Sequence, residues 1–348
     1  MSSSISSSDP AAWSRFLRRL LATTVGLCLA IYAFIVLVDP WGVLPLSIPA
    51  ERPPISTNAR YAFPGLARSA RFDSAIVGSS TARVFLPDAL NAALGTRFVN
   101  LGMNAASPYE QTRILEVFLR AHPRAAVVIQ GLDLVWCSPG EPPRYSPRPF
   151  PEPFYEASPW PAYREMLSVY ALNEAVAQFA VLTGIRRARY GRDGYTRYLP
   201  LESLYDPARA LAQLRPITWD SAAPPAAPAS PIRFQGAEFV QASLRAMAPE
   251  TRAVLAFMPL HLGTQPDPAT PGGAILGDCK RQIADVARQR PNTILLDFMR
   301  ASAITREASH YWDEKHFRDA IRDRITAILV EAARGIPGPS PDFAVLAP

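Results

Sequence analysis

Cysteine and histidine are scarce in this sequence of 348 residues. There are three cysteines and four histidines, and no C-x-x-C pair or His/Cys cluster has the spacing of a zinc site. A glycine-rich phosphate-binding loop is also missing. We therefore expect neither a metal nor a cofactor.

The sequence also lacks a basic run interleaved with aromatic residues. Its net charge of +6 comes mainly from arginine, which fits either an anionic partner or a generally arginine-rich composition. A nucleic-acid surface normally shows basic clusters, often with aromatic side chains for stacking. We expect no nucleic-acid partner.

One long apolar run is present, at residues 20–38, and it contains no charge. Such a run is long enough to cross a hydrocarbon core of about 30 Å. Three arginines precede it between residues 15 and 19, and Asp39 follows it, so the positive-inside rule predicts a cytoplasmic tail at 1–19 and an exported body. We expect a single-pass protein of a bacterial-type inner membrane with a periplasmic body. A cleaved signal peptide is the alternative, but no A-x-A site closes the run.

The exported body alternates between β-branched apolar segments and helical segments. Continuous apolar strands separated by helices predict a mainly parallel, five-stranded sheet in a three-layer α/β/α sandwich. The predicted strands are 74–78, 97–102, 125–133, 252–259 and 292–298, and the predicted helices are 87–94, 108–121, 236–248, 277–289 and 316–333.

Three further segments surround this pattern. Residues 39–69 form a proline-rich spacer before the main domain at 70–335, and residues 336–348 are expected to be a flexible tail. An insertion at 138–231 starts and ends with proline-rich stretches and favours a helix at 163–182. It follows the third strand at the carboxyl edge of the sheet, so it could shape a substrate groove, contact a membrane partner or be a passive elaboration.

The cysteines have no determined pairing. Cys28 lies in the apolar run, whereas Cys137 and Cys279 lie in a body whose compartment permits oxidation. One disulfide and two buried thiols remain equally open from the sequence.

Two short stretches carry the candidate chemistry. The stretch DSAIVGSSTAR, at 73–83, ends a strand in small hydroxyl residues, and Ser80 there could expose its hydroxyl beside free backbone N–H groups. A serine nucleophile needs a base, and His316 follows Asp313 by three residues at the predicted start of the last helix. The structural alternative makes Asp313 a helix N-cap and His316 an ordinary surface residue.

Together these stretches resemble the motifs of the SGNH hydrolases, also called the GDSL family. The first block is Ile76-Val77-Gly78-Ser79-Ser80, the second is VNLGMNAAS with Gly102, and the last is Asp313-Glu314-Lys315-His316. The resemblance covers most of residues 70–335 and implies Ser80 as nucleophile, His316 as base and Asp313 as its orienting partner. It also implies that the amides of Ser80 and Gly102 stabilise the oxyanion.

Two positions depart from the family pattern. Ser79 stands where aspartate is usual, as in membrane-anchored branches that resemble the alginate O-acetylation and teichoic acid D-alanylation proteins. Asp133 stands where the third block has the asparagine that donates to the oxyanion. Losing one such donor costs about 3 kcal/mol. Asp133 could be protonated or turned away, or Asn104 could replace it.

Three other residues are weaker candidates for substrate binding. They are His261 after the fourth strand, Trp312 beside the last block and Arg83 just after the nucleophile. Each also has a purely structural alternative: His261 could be a capped histidine in a loop, the Trp312 ring could pack under the loop, and Arg83 could be a solvated arginine on a helix.

The resemblance implies a serine esterase or O-acyltransferase that acts on acyl esters of an envelope or exported glycan. It further implies a membrane anchor and a membrane-bound acyl-exporting partner. The competing hypothesis is a non-catalytic scaffold subunit that retains the fold.

Overall fold

A computed structural model of the chain describes residues 10–219, 226 and 232–348. At its centre is a six-stranded sheet of order β2-β1-β3-β4-β5-β6, in which the first five strands are parallel and β6 is antiparallel to β5. The strands are β1 (Ser74–Val77), β2 (Phe98–Asn100), β3 (Val127–Leu132), β4 (Arg252–Phe257), β5 (Thr293–Asp297) and β6 (Ala344–Ala347).

Helices cover both faces of the sheet. Those of the described residues are α1 (Pro10–Val38), α2 (Ala59–Ala67), α3 (Ser80–Arg83), α4 (Pro87–Leu94), α5 (Pro108–Ala121), α6 (Ala162–Glu165), α7 (Val169–Leu182), α8 (Pro207–Ala212), α9 (Gln235–Ala246), α10 (Pro271–Arg288), α11 (Ala303–Arg306) and α12 (Asp319–Arg334). One apolar core joins the sheet to α2, α5, α9 and α10, and a second joins it to α4 and α12.

The continuous apolar strands explain this architecture. All residues of β1, β3 and β5 are buried, because a parallel sheet with helices on both faces leaves neither side to water. The predicted α/β fold, with a mainly parallel sheet and one N-terminal apolar helix, is confirmed. The sheet has one strand more than the five predicted.

The extra strand comes from the segment predicted to be a flexible tail. Residues Ala344–Ala347 pair with β5 at the edge of the sheet, with Leu295 opposite Ala347. A short apolar run gains backbone hydrogen bonds and packing there, although the glycines and prolines before it suggested an unstructured tail. The tail prediction was wrong for these residues.

The segment after α1 is folded against the body rather than extended away from it. Asp39, Trp41 and Leu44 are buried, and the Asp39 carboxylate accepts the backbone N–H of Leu44 at 2.8 Å. Residues 59–67 of the predicted spacer form α2, whose N-cap is Asn58. These contacts join α1 directly to the folded domain.

The insertion divides into two structured parts. Its first part contains α6 and α7, so the predicted helix at 163–182 is interrupted before Ser168, the N-cap of α7. Its second part, residues 190–216, crosses the carboxyl edge of the sheet. Its proline-rich end at 221–231 and the serine-rich residues 1–9 lie outside the described residues, apart from Ala226.

Cys137 and Cys279 form a disulfide, which decides between the two alternatives that the sequence left open. The bond ties the turn after β3 to the middle of α10, across 142 residues of sequence. It therefore closes the base of the insertion onto the domain.

Candidate active site

Ser80 lies at the carboxyl edge of the sheet, immediately after β1. Gly78 is needed for this sharp turn, since a Cβ atom there would come within 2.4 Å of the Ala82 side chain. Ser79 precedes the short helix α3, and its hydroxyl accepts the backbone N–H of Thr81 at 3.5 Å. Close packing of β1 against α3 thus sets the position of the Ser80 hydroxyl.

Asp313 and His316 lie in a hairpin-like loop rather than at the helix start. Tyr311 and Phe317 form an antiparallel bridge across this loop, and α12 begins only at Asp319. The Asp313 carboxylate accepts the backbone N–H groups of Lys315 and His316 at 2.8 and 2.9 Å. The prediction that His316 occupies the first turn of the last helix was wrong, because Asp313 caps a turn inside the loop.

The three side chains form a continuous hydrogen-bonded chain. Ser80 Oγ lies 2.8 Å from His316 Nε2, while His316 Nδ1 lies 2.7 and 2.9 Å from the two oxygens of Asp313. This order of hydroxyl, imidazole and carboxylate is the geometry that lets an imidazole accept a serine proton. His316 is therefore not an ordinary surface residue.

Asp313 is electrostatically suited to hold the imidazole. Burial alone would raise the pKa of Asp313. The pKa is nevertheless lowered, because hydrogen bonds from His316 and from the backbone of Lys315 outweigh burial, and the charge of His316 adds to them. The carboxylate consequently stays ionised at neutral pH and accepts the Nδ1 proton. That bond leaves Nε2 free to face Ser80.

Gly102 has a packing role in this structure. Its backbone N–H donates to the Asn100 side chain at 2.9 Å, and a Cβ atom at Gly102 would lie 2.9 Å from the backbone of Arg83. The glycine thus permits close approach to α3, and its N–H is already bonded. The geometry argues against the oxyanion role that the resemblance gave to Gly102.

The turn just after Gly102 lies close to the turn that carries Ser80 and has unpaired backbone N–H groups among the described residues. The Met103 N–H donates to the Gly78 carbonyl at 3.0 Å, which holds this turn beside the nucleophile. Within the described part of the chain, the backbone N–H groups of Asn104 and Ala105 have no hydrogen-bond partner, and Ala105 has a left-handed φ of 55°. Arg60 fixes the turn by donating to the Asn104 carbonyl at 3.3 Å.

Arg60 is itself held by a buried ion pair. Its guanidinium lies 2.6 Å from the Glu110 carboxylate, and both side chains are almost completely buried. Glu110 also completes the capping box of α5 with Ser107. The Asn104 carbonyl is therefore bonded to an arginine whose position is set by a buried ion pair.

Asp133 lies directly after β3 and next to Thr81, the residue after Ser80. One of its carboxyl oxygens accepts the Thr81 hydroxyl at 2.6 Å. Part of the residue is exposed, but protein atoms surround the carboxyl group, and this burial raises the pKa of Asp133. Hydrogen bonds from Ser79 and Thr81 and the charges of His316 and Lys315 lower that pKa, but by less. An ionised carboxyl there supplies no N–H donor to an oxyanion.

Arg83 is buried rather than solvated. Its guanidinium lies 5.3 and 5.0 Å from the ring centroids of Tyr190 and Tyr198, and it donates to the Tyr190 hydroxyl at 3.2 Å. Both tyrosines belong to the insertion. The solvated-arginine alternative was wrong, because Arg83 joins α3 to the insertion through cation–π contacts.

His261 and Trp312 support the loop that carries Asp313 and His316. The ring of His261 is buried against Tyr311, and its backbone N–H donates to the Glu314 carbonyl at 3.1 Å. The Trp312 ring meets Tyr205 of the insertion edge to face at 5.3 Å. Neither contact requires a substrate, so packing accounts for both residues.

Sequence reasoning missed Tyr198. Its hydroxyl donates to the Ser80 carbonyl, and its ring meets the His316 ring edge to face at 5.9 Å. Burial, the largest effect, raises the pKa of Tyr198, so the phenol stays protonated and remains a donor. No motif in the insertion could have revealed this contact.

The insertion also contacts the loop that carries Asp313 and His316. Glu202 accepts from the Arg318 guanidinium at 2.6 Å and from the Asp319 backbone N–H at 2.9 Å. Arg215 forms an ion pair with Glu314 at 2.6 Å. These contacts do not fit a passive surface elaboration, since they fix the residues on both sides of His316.

Comparison with known proteins adds no relative to this picture. A scan against protein-family models gave no match, and a search of curated proteins found no similar chain. The resemblance to the SGNH hydrolases therefore stays a prediction, carried by the short motifs.

Proposed function

We propose that this protein is a membrane-anchored serine esterase or O-acyltransferase of SGNH type. The single observation that carries the proposal is the hydrogen-bonded chain from Ser80 through His316 to Asp313. Among common reactions, acyl transfer makes the fullest use of such a chain, because the serine must lose a proton while it attacks and the imidazole must return that proton to the leaving group.

In the first half-reaction, Ser80 Oγ attacks the carbonyl carbon of an ester and its proton passes to His316 Nε2. The carbonyl oxygen becomes an oxyanion, and we assign its stabilisation to the backbone N–H groups of Ser80, Asn104 and Ala105. The bond to the alcohol then breaks, and the leaving oxygen takes the proton from His316. An acyl-serine remains, and Asp313 compensates the transient charge on His316.

In the second half-reaction, a hydroxyl compound attacks the acyl-serine and gives its proton to His316. The bond between Ser80 Oγ and the acyl carbon breaks, and the proton returns to Ser80. Water as acceptor makes the protein an esterase, whereas a sugar hydroxyl makes it a transferase. We favour an envelope or exported glycan as the partner, from the resemblance and from the apolar helix α1.

The location follows from the same features. Helix α1 is long and apolar enough to cross a membrane. The arginines at its N-terminal end favour an extracytoplasmic body at a bacterial-type inner membrane. We expect the acyl group to arrive from a membrane-bound exporting protein.

A specific observation also favours a non-catalytic scaffold. By the resemblance, Asp133 stands where the family has an oxyanion donor, and its carboxyl accepts a hydrogen bond from the Thr81 hydroxyl instead of offering an N–H group. If Asp133 is ionised when substrate binds, its charge opposes the oxyanion. The fold would then serve as a binding subunit, with the insertion as its contact surface.

Labelling with a fluorophosphonate probe separates the two functions. The full chain in detergent is treated beside Ser80→Ala, His316→Ala and Ser309→Ala, the last a matched control at an exposed serine in the same region. An enzyme labels in the wild type and in Ser309→Ala but not in the other two variants. Absence of label from all four folded proteins would support the scaffold.

A further inference from the structure

Helix α7 exposes large apolar side chains and buries a glutamine, which is unusual for a helix in water. Gln178, on its inner face, is fully buried, whereas Val169, Val176 and Phe179 are 76%, 55% and 47% exposed. The polar residues away from the core are Asn173, which is exposed, Tyr170, which is 36% exposed, and Glu174, which is half-buried. A helix that faces water normally shows the opposite arrangement, with apolar residues inside and polar residues outside.

Helix α7 packs directly on α1. The rings of Phe179 and Phe34 meet at 5.9 Å, and just before α7 the Tyr32 hydroxyl of α1 donates to the carbonyl of Tyr163 in α6 at 3.1 Å. A groove of about 290 Å³ between the two elements is lined by Cys28 and Ile35 on one side and by Val169 on the other. The contact therefore extends along α1 from Cys28 to Ile35.

The length of α1 places that contact inside the bilayer. Arg19 is the last charged residue before Asp39, which leaves an uncharged run at 20–38. A hydrocarbon core of about 30 Å needs roughly 20 helical residues, so the core must extend almost to Val38. Cys28 lies ten residues before Val38. At about 1.5 Å per residue, Cys28 is therefore roughly 15 Å inside the edge of the hydrocarbon core.

The residues that follow α7 match a lipid interface. Before the helix, the exposed Trp160 stacks on Tyr163 at 5.5 Å, and the exposed Arg164 comes next in the sequence. After the helix, Ile185 is 79% exposed and is followed by exposed arginines at 186 and 187. Aromatic rings favour the headgroup level, and arginines bind lipid phosphates.

From these contacts we propose that α7 is immersed in the bilayer leaflet nearer the folded body. Lipid tails cover Val169, Val176 and Phe179, and the arginines after the helix contact the headgroups. The domain is then held by two apolar helices, which fixes its orientation as well as its distance from the membrane. This proposal requires α1 to span a bilayer and is independent of the catalytic function.

Nitroxide accessibility tests the immersion directly. The full chain with Cys28→Ser is spin-labelled at Val176→Cys or Val169→Cys and reconstituted into vesicles of phosphatidylethanolamine and phosphatidylglycerol. Glu331→Cys, at an exposed position on α12, is the matched control. All sites are on exposed faces, so the labels leave the core intact.

The expected result is a ratio of oxygen to nickel-chelate collisions at least several-fold higher at Val169 and Val176 than at Glu331, since oxygen partitions into lipid and the chelate does not. Equal nickel access at all three positions would place α7 in water. Protection from both reagents would mean that protein, such as a second copy or a membrane partner, covers the face. Either of the last two results overturns the proposal.

Discussion

Ser80 Oγ and His316 Nε2 lie 2.8 Å apart, although 236 residues separate them in the sequence. The first side chain is placed by the end of β1 and the second by a hairpin-like loop before α12. Neither position depends on the other locally, so the sheet and its edge loops must both form before the pair exists. The variants below probe how this pair is oriented and supported.

Asp313→Asn should slow fluorophosphonate labelling by about 10³–10⁴-fold while the fold is retained. The asparagine oxygen can still accept the backbone N–H groups of Lys315 and His316, but it no longer stabilises a protonated imidazole. Labelling rates and the thermal midpoint are compared with the wild type. An unchanged rate would show that Asp313 only shapes the loop.

Asp133→Asn should speed labelling by at least about tenfold, because an amide adds a donor where a carboxyl has none. The Thr81 hydroxyl can still donate to the amide oxygen. The rate is measured at pH 7 with saturating and subsaturating probe. A slower variant would assign Asp133 a positive role in the reaction.

The same variant should change the pH dependence of stability. Burial raises the folded-state pKa of Asp133 above its ordinary value of 3.8, so its stabilising effect is greatest at low pH and is lost as pH rises through the raised pKa. Asp133→Asn should therefore melt a few degrees higher at pH 7, roughly, and this difference should shrink toward pH 4. Thermal unfolding at both pH values checks it, and a difference independent of pH would contradict it.

Tyr198→Phe should reduce the labelling rate about three- to tenfold, the usual size of one lost hydrogen bond. The ring stays against Arg83 and His316, but the Ser80 carbonyl loses its donor. Tyr205→Phe is the matched control, since its ring contacts Trp312 and Arg318 remain. Equal rates for both variants would limit Tyr198 to packing.

Loss of the Cys137–Cys279 disulfide should destabilise the folded protein by about 2–5 kcal/mol, because the bond closes a long loop in the unfolded chain. The paired Cys137→Ser and Cys279→Ser variant is compared with Cys28→Ser, which removes a free cysteine. Denaturant unfolding measures the change. Equal stability of the two variants would show that the disulfide has little effect.

The sequence predicted the scaffold of the site well. The run at 75–77 is apolar and is followed by glycine and two serines, which predicts a buried strand and then a turn. The helices at 87–94 and 108–121 begin at prolines and have apolar faces, and they were predicted with the observed bounds. Local propensity and periodicity determine these elements.

Two predictions from local sequence were wrong because tertiary contacts decided the outcome. The glycines and prolines before residues 344–347 suggested an unstructured tail, yet the open edge of β5 supplies hydrogen bonds to these residues. Arg83 looked like a solvated helix residue, yet two tyrosines more than 100 residues away enclose it. Burial of this kind depends on distant partners that a local pattern does not contain.

The sequence by itself determined the apolar helix, the parallel sheet and the three residue types of the candidate site, because these depend on periodicity and on short motifs. Only the tertiary structure decided that Gly102 is bonded to Asn100, that Tyr198 contacts the nucleophile turn and that α7 lies along α1. Each of these depends on the angle and depth at which separate segments pack. That geometry is set by the whole core and its long-range contacts, not by any one stretch of the chain.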